Sequence, residues 1–326
     1  MFKWLDRRVA AQVGVVGLGL LGGSLLRRLA ATASGGIRGI GWDTDADTRE
    51  RAGAAGLAVS ASLEELAANS DVLFVAVPLP ELSIVFTAIS GVADPAMIVT
   101  DLTSVKQPVR DLAGAYGFAF VGGHPMAGTE ESGFTASTPA LLADATWVLT
   151  LDEETDMAAW LTVAALVTSL GCRVIPCTSP EHDRAVARVS HLPHVVAAAL
   201  TLGAAGDPLP LSLAAGSFRD ATRVAATRAE LVAAMCGGNA ASLDAELTAF
   251  ANRLRESRPA LYEPERLTAW FSAAEAVRKV WPPVADVQTE LAVDGQLPEH
   301  LLVAGRAGGH VTAVTAEQVV IRTPMP

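Results

Sequence analysis

The sequence predicts an α/β protein with a doubly wound parallel sheet over residues 1–178, an all-helical domain over 179–295, and a short tail of unassigned role over 296–326. Three observations predict it. Short apolar runs alternate with helical stretches as far as Thr178, the order from which parallel sheets are built. A glycine-rich turn joins the first apolar run to the first helix. Beyond Thr178, apolar residues recur at helical spacing with no strand between them.

The first strand, Gln12 to Val16, runs into Gly17-Leu18-Gly19-Leu20-Leu21-Gly22-Gly23-Ser24 and a helix through Leu29. This is G-x-G-x-x-G with a strand before it and a helix after it, the setting in which the pattern signifies a dinucleotide site. Gly17 permits the tight turn, Gly19 lets the backbone approach a pyrophosphate, and Gly22 lets helix and strand pack closely. With Leu20 at the helix start, these are the candidate cofactor contacts, and the helix N-terminus faces the phosphates. The domain is therefore of Rossmann type. The second strand, Ile37 to Trp42, ends at Asp43, near where an acid accepts from the ribose 2′-hydroxyl of NAD and repels the extra phosphate of NADP. Thr44-Asp45-Ala46-Asp47 adds acid, whereas Arg49 and Arg51 add base. NAD is the expected cofactor and NADP the second choice. A helix N-cap is a further task open to Asp43.

Ser62-Leu63-Glu64-Glu65 opens a helix as a capping box. Asp71 to Val77 and Met97 to Asp101 read as buried strands, the latter followed by Leu102-Thr103-Ser104-Val105-Lys106. Ser104 lies past a strand's C-terminal end, the rim on which such sheets bind ligands; a helix cap is its other reading. After the strand Phe118 to Val121 comes Gly122-Gly123-His124-Pro125-Met126-Ala127-Gly128-Thr129-Glu130-Glu131-Ser132-Gly133. Its glycines and proline predict a shaped turn rather than a strand or helix. His124 then stands at the ligand-binding rim, with a solvated surface histidine as the alternative. Trp147 to Leu151 and Arg173 to Cys177 complete the expected sheet.

Helical spacing runs from Glu181 to Ala204, Arg228 to Ser257 and Glu265 to Val280. Ser190-His191-Leu192-Pro193-His194 places two histidines near one helix face, and Pro193 disturbs that helix and redirects His194. No third ligand of suitable geometry accompanies them, so no metal is expected. Arg219 and Arg223, four apart, can share a side and grip a carboxylate; a solvated face with Asp220 as partner is the alternative. Flanking apolar residues predict partial burial of this pair. The helical half carries more apolar surface than a monomer should expose, which predicts a homodimer.

Bulk properties narrow the classes. Of 326 residues 51% are hydrophobic, but no run approaches the ~18 consecutive apolar residues of a spanning helix, so no membrane partner is expected. Met1 to Arg8 shows no signal-peptide pattern. Cys172, Cys177 and Cys236 form no disulfide or metal framework, which fits a reducing cytoplasm. A net charge of −11 argues against nucleic acid.

Taken together, Thr100 to Lys106 (TDLTSVK), the GGHPMAGTEESG segment, Ser190 to His194 (SHLPH) and Gly216 to Ala225 (GSFRDATRVA) resemble the prephenate dehydrogenase family, including its arogenate-using members. The resemblance extends from Val13 to about Val280. It implies NAD-dependent oxidative decarboxylation of prephenate to 4-hydroxyphenylpyruvate in tyrosine biosynthesis, and a homodimer built through the helical domains. It implies that His124 accepts a hydrogen bond from the substrate's ring hydroxyl and that Ser104 helps hold that hydroxyl and the nicotinamide. His194 and Arg223 bind the carboxylate-bearing parts, and Thr129 lies near the ring. Prephenate carries two carboxylates, so an acidic chain needs a local positive site, for which Arg223, Arg219 and Lys106 are the candidates. The same chemistry on arogenate is the nearest alternative. A 3-hydroxyacid dehydrogenase would need a lysine base in the helical half, where Lys279 lacks a supporting motif; a dinucleotide sensor would leave the histidines and arginines without a task. Leu301 to Pro326 falls outside the resemblance and alternates like a short hairpin.

Overall fold

The computed structural model describes residues 11–32, 36–129, 131–282 and 284–324. The segment Met1 to Arg8 and Glu130 lie outside the described residues. The first unit is β1 (Ala11–Val16), α1 (Leu20–Ala31), β2 (Ile37–Trp42), α2 (Ala46–Ala54), α3 (Leu63–Ala68), β3 (Val72–Val75), α4 (Leu82–Ser90), β4 (Ile98–Asp101), α5 (Gln107–Tyr116) and β5 (Ala119–Val121). Its five strands form one parallel sheet in the order β2-β1-β3-β4-β5. Successive side chains alternate between faces: Val13, Val15 and Phe74 enter one core with Trp147 and Trp160, while Val16, Leu73 and Val75 enter another with Leu66, Phe86 and Val109. A parallel sheet covered on both faces is the reason its strands read as continuous apolar runs.

The chain then starts a second sheet. The expected turn at Gly122-Gly123-His124-Pro125 contains a short strand, β6 (Gly123–Pro125), antiparallel to β7 (Thr146–Thr150). After α6 (Met157–Ser169) comes β8 (Arg173–Cys177), parallel to β7. The runs Trp147 to Leu151 and Arg173 to Cys177 are strands as expected, but they belong to this mixed sheet and not to the five-stranded one.

The helical part comprises α7 (Ser179–Val186), α8 (Leu192–Gly203), α9 (Pro208–Leu213), α10 (Gly216–Thr222), α11 (Ala229–Gly238), α12 (Ala240–Ser257) and α13 (Pro264–Lys279). A π-turn over Ala187–His191 joins α7 to α8. It precedes Pro193, which cannot donate to the preceding turn, so the register change falls where the ordinary ladder must fail. The stretch Ser179–Gly203 is long and apolar enough to cross a membrane, yet it carries His182, Asp183 and His191, all buried within the protein.

Helix ends earlier than residue 295. The remaining elements are β9 (Ala285–Ala292), α14 (Leu297–Arg306), β10 (His310–Val314) and β11 (Gln318–Pro324). They complete the second sheet as β6-β7-β8-β10-β11-β9. The hairpin anticipated near the C-terminus is β10–β11. It is no free tail: Val311 pairs with Val174, and Leu297, Leu301, Val311 and Val319 are fully buried in the core beside Trp147.

Candidate active site

One cavity of about 590 Å³ gathers residues from every motif, a volume suited to a small-molecule site. Gly19 and Leu20 line it from the glycine loop, Ser104 from beyond β4, and His124 and Thr129 from β6 and the turn after it. His194 lines it from α8 and Arg223 from the turn after α10.

The glycine loop has the expected form. Gly17 has φ +87°, and a Cβ on Gly22 would lie 1.9 Å from the Gly17 carbonyl oxygen, so α1 can approach β1 only with glycine there. A Cβ on Gly19 would meet nothing within 4 Å. The α1 N-terminus has no side-chain cap and no acid in its first turn. Open backbone donors on a cavity wall fit a dinucleotide's pyrophosphate. Asp43 follows β2 and does not itself line the cavity. Its carboxylate accepts from the N–H of Leu18 at 2.6 Å and of Asp45 at 2.9 Å, which ties it to the glycine loop. The helix α2 is capped by Asp45 instead, so the N-cap alternative for Asp43 falls away. Arg49 donates to the carbonyls of Asp43 and Thr44.

His124 is buried in β6, so it is neither on the predicted turn nor at the solvated surface. Its neighbour Gly123 is held at both backbone atoms: the N–H donates to Asp101 Oδ1 at 3.1 Å, and the carbonyl accepts from Lys106 Nζ at 2.6 Å. A Cβ at Gly123 would come within 2.5 Å of the Asp101 carbonyl oxygen, so this close pass also requires glycine. Lys106 and Asp101 form a fully buried ion pair, with Thr103 bonded to both. Lys106 therefore turns into the protein and does not offer its charge to the cavity, contrary to expectation. Burial pushes its ammonium pKa down, with Asp101 opposing the shift.

On its other side, His124 Nδ1 lies 2.9 Å from His182 Nε2, and His182 Nδ1 lies 2.8 Å from Asp183 Oδ1. Burial, and then the neighbouring His182, Lys106 and His191, hold His124 well below the ordinary histidine pKa. Burial likewise lowers His182 despite the opposing Asp183 carboxylate. Burial opposes ionisation of Asp183, but hydrogen bonds from His182 and from the N–H groups of Gln107 and Lys106 outweigh it and hold its pKa down. No sequence motif marks His182 or Asp183. The only local hint is that His182 and Asp183 follow the capping box Thr178–Glu181 on a helix beginning at the sheet's rim.

The two histidines around Pro193 part company. His191 is fully buried, its Nδ1 3.2 Å from Asn239 Nδ2, and burial brings its pKa to about 4. This is the packed histidine. His194 lines the cavity, and its Nδ1 is buried with no hydrogen-bond partner. The arginines also separate. Arg223 reaches the cavity but is exposed, not buried as its apolar flanks predicted. Arg219 is 78% exposed, pairs with Asp220 at 3.2 Å and does not line the cavity. Side chains four apart diverge here because the helix α10 tightens after Thr222.

Comparison with known proteins agrees with both halves. The family profile "Prephenate dehydrogenase, nucleotide-binding domain" matches residues 30–176, and "Prephenate dehydrogenase, dimerization domain" matches residues 178–271. A cyclohexadienyl dehydrogenase of Zymomonas mobilis is 31% identical over 263 residues, covering 78% of this chain and 89% of the relative. A crystal structure of a candidate prephenate dehydrogenase from Corynebacterium glutamicum has TM-score 0.82 at 34% identity, covering 92% of this chain and 98% of that one. The A. aeolicus prephenate dehydrogenase in complex with hydroxyphenyl propionate and NAD+ has TM-score 0.76 at 26% identity, covering 82% and 97%. With a nucleotide-binding half and a helical half matched in order, the chain belongs to the prephenate dehydrogenase family.

Proposed function

We propose that this protein is an NAD-dependent prephenate dehydrogenase, forming 4-hydroxyphenylpyruvate and carbon dioxide in the tyrosine branch of aromatic amino acid synthesis. The observation that carries the reading is the convergence of Gly19, Ser104, His124, His194 and Arg223 on one cavity. Gly17, Gly19, Leu20 and Gly22 would hold the cofactor's pyrophosphate end and Asp43 its ribose; when bound, the nicotinamide supplies the hydride acceptor. His124, neutral near pH 7, takes the proton of the ring hydroxyl as a general base. Ser104 donates to or accepts from the same hydroxyl and keeps it at the histidine. Arg223 at the rim and the imidazole of His194 supply charge and hydrogen bonding for carboxylate groups, and Thr129 borders the ring. Oxidation of the alcohol carbon leaves a ring that loses its carboxylate as carbon dioxide and becomes aromatic, and the resulting phenolate oxygen regains a proton. The chain's main contribution is orientation of the reactants.

The second reading is the same chemistry on arogenate, since the Zymomonas mobilis relative is named for the cyclohexadienyl ring common to both compounds. Lys279, the lysine a 3-hydroxyacid dehydrogenase would need, is exposed, paired with Glu275 at 2.5 Å, and does not line the cavity. We place the protein in the cytoplasm as a homodimer through its helical half, where Leu202, Leu213, Phe271 and Val277 stand exposed. Light scattering should report twice the chain mass. A spectrophotometric assay pairing prephenate or arogenate with NAD or NADP tests the activity. Reduction with prephenate and NAD is expected; no reduction in any of the four pairings would overturn the proposal.

A further inference from the structure

We propose that His182 and Asp183 are positioning residues that fix His124 as its Nδ1–H tautomer, so that Nε2 meets the cavity as an unprotonated base. The inference rests on geometry and on which atoms can donate. Asp183 has three donors fixed on its carboxylate: Oδ1 accepts from the Lys106 N–H at 2.8 Å and from His182 Nδ1 at 2.8 Å, and Oδ2 accepts from the Gln107 N–H at 2.9 Å. Its own carbonyl accepts from Asn239 Nδ2 at 2.7 Å. An ionised carboxylate can only accept, so His182 must carry its proton on Nδ1. In a neutral His182 the other nitrogen, Nε2, is then a lone pair. That lone pair stands 2.9 Å from His124 Nδ1, which must therefore donate. A neutral His124 with its proton on Nδ1 keeps a lone pair on Nε2, the ring nitrogen left for the cavity that His124 lines. The tautomer of a catalytic imidazole is set by the partner of its other nitrogen; here one histidine relays that instruction from a carboxylate.

The surroundings keep the chain in this state. His182 and Asp183 are both almost wholly buried, and the charged or titratable groups facing the two rings are Lys106, Asp101 and His191. The Lys106 cation disfavours a second positive charge at either ring, and its own charge is answered by Asp101. The rings meet edge to face, with centroids 5.1 Å apart and planes at 74°. Turning either ring over would break its hydrogen bond. Asp183 Oδ1 holds His182, while the bonds to Oδ2 from Gln107 and to the carbonyl from Asn239 fix Asp183 itself in place.

The proposal uses the base role given to His124 above, but its test does not depend on turnover. Ring-nitrogen NMR of the protein labelled with [15N]histidine, without substrate, reads the tautomer directly, and loss of one signal set in His124→Asn assigns it. The expected spectrum shows His124 protonated on Nδ1 and bare on Nε2. In His182→Leu the preference should vanish or reverse. His182→Gln, whose side-chain oxygen can take the place of Nε2 as acceptor, should retain it. In the assay, His182→Leu should lower kcat by about tenfold or more with the substrate KM changed less than twofold, and His182→Gln should recover part of the loss. A wild-type His124 protonated on Nε2 would overturn the proposal, as would an unchanged tautomer in His182→Leu. If His182→Leu does not fold, His182→Gln and Asp183→Asn carry the same spectral readout: retention in the first and a weakened preference in the second. The predicted tautomer in a protein that turns over neither prephenate nor arogenate would sink the proposed activity and leave the positioning chain standing.

Discussion

Lys106 Nζ donates to the carbonyl of Gly123 at 2.6 Å, so a fully buried cation holds the residue just before His124. The same ammonium pairs with Asp101, whose other oxygen takes the Gly123 N–H. Together the two side chains clamp one residue on both sides. Removing one member of a buried pair strands the other charge, a loss of about 3–5 kcal/mol. Lys106→Met should destabilise the protein by about that amount in urea unfolding. A loss below about 1 kcal/mol would mean that water or a neighbour reaches Asp101 in the variant.

Stability should depend on pH through the histidines. His124, His182, His191 and His194 all have pKa values lowered by burial, His191 to about 4. In the unfolded chain each takes up a proton near pH 6.5. As pH falls below that point the unfolded state binds more protons than the folded one, and stability drops; above it the contribution is fully present. Each proton of difference costs about 1.4 kcal/mol per pH unit. Urea midpoints should therefore fall steadily from pH 7 to pH 5. A midpoint unchanged over that range would show that these rings titrate normally in the folded protein.

How much of this was legible follows from the range of each interaction. The glycine loop, the strand ending at Asp43 and the strand Arg173 to Cys177 are written in local sequence, although the last joins the mixed sheet and not the parallel one. The second sheet is not local. Val174 pairs with Val311 across more than a hundred residues, and nothing near either position announces the partner. The strand Ala285–Ala292 begins shortly after α13 ends at Lys279 and pairs with β11 near the C-terminus, a partner that no local signal announces. At the site, Ser104, His124, His194 and Arg223 were visible because they sit in unusual motifs. His182 and Asp183 sit on an ordinary amphipathic helix, and only the approach of β6 gives them a purpose. Lys106 reads as an available positive charge in an acidic chain, and only its burial against Asp101 removes it from the cavity.

Cofactor choice should rest on Asp43. Its carboxylate is oriented by the N–H groups of Leu18 and Asp45, so a 2′-phosphate would meet a fixed negative charge. Arg49 is already engaged with two carbonyls and Trp42. Catalytic efficiency should be higher with NAD than with NADP, and Asp43→Ala should narrow the gap. Higher efficiency with NADP in the wild type would reverse the assignment.

The two arginines provide an internal control. Arg223 reaches the cavity, whereas Arg219 is exposed against Asp220. A charge-assisted hydrogen bond contributes about 1.5–3 kcal/mol, so Arg223→Ala should raise the substrate KM by about tenfold or more. Arg219→Ala should leave it within about twofold, as an exposed ion pair contributes little. The opposite ranking would place the carboxylate at Arg219 and Arg223 outside the binding site.

His124 is where the sequence pattern and the cavity make their strongest joint claim. If it takes the hydroxyl proton, His124→Asn should lower kcat by about 100-fold or more while KM stays near the wild-type value, because general-base loss removes an interaction made in the transition state. The pH profile gives a second, independent measure. Burial holds this free-enzyme base well below the ordinary histidine pKa, so the limb of kcat/KM that reports it should bend on the acid side of 6.5 and run flat from there to neutrality. An inflection at or above 6.5 would mean that the buried ring gains a proton more readily than its neighbours Lys106 and His182 should allow. Near-normal turnover in His124→Asn would assign the proton to another group on the cavity wall and leave the histidine a structural part of β6.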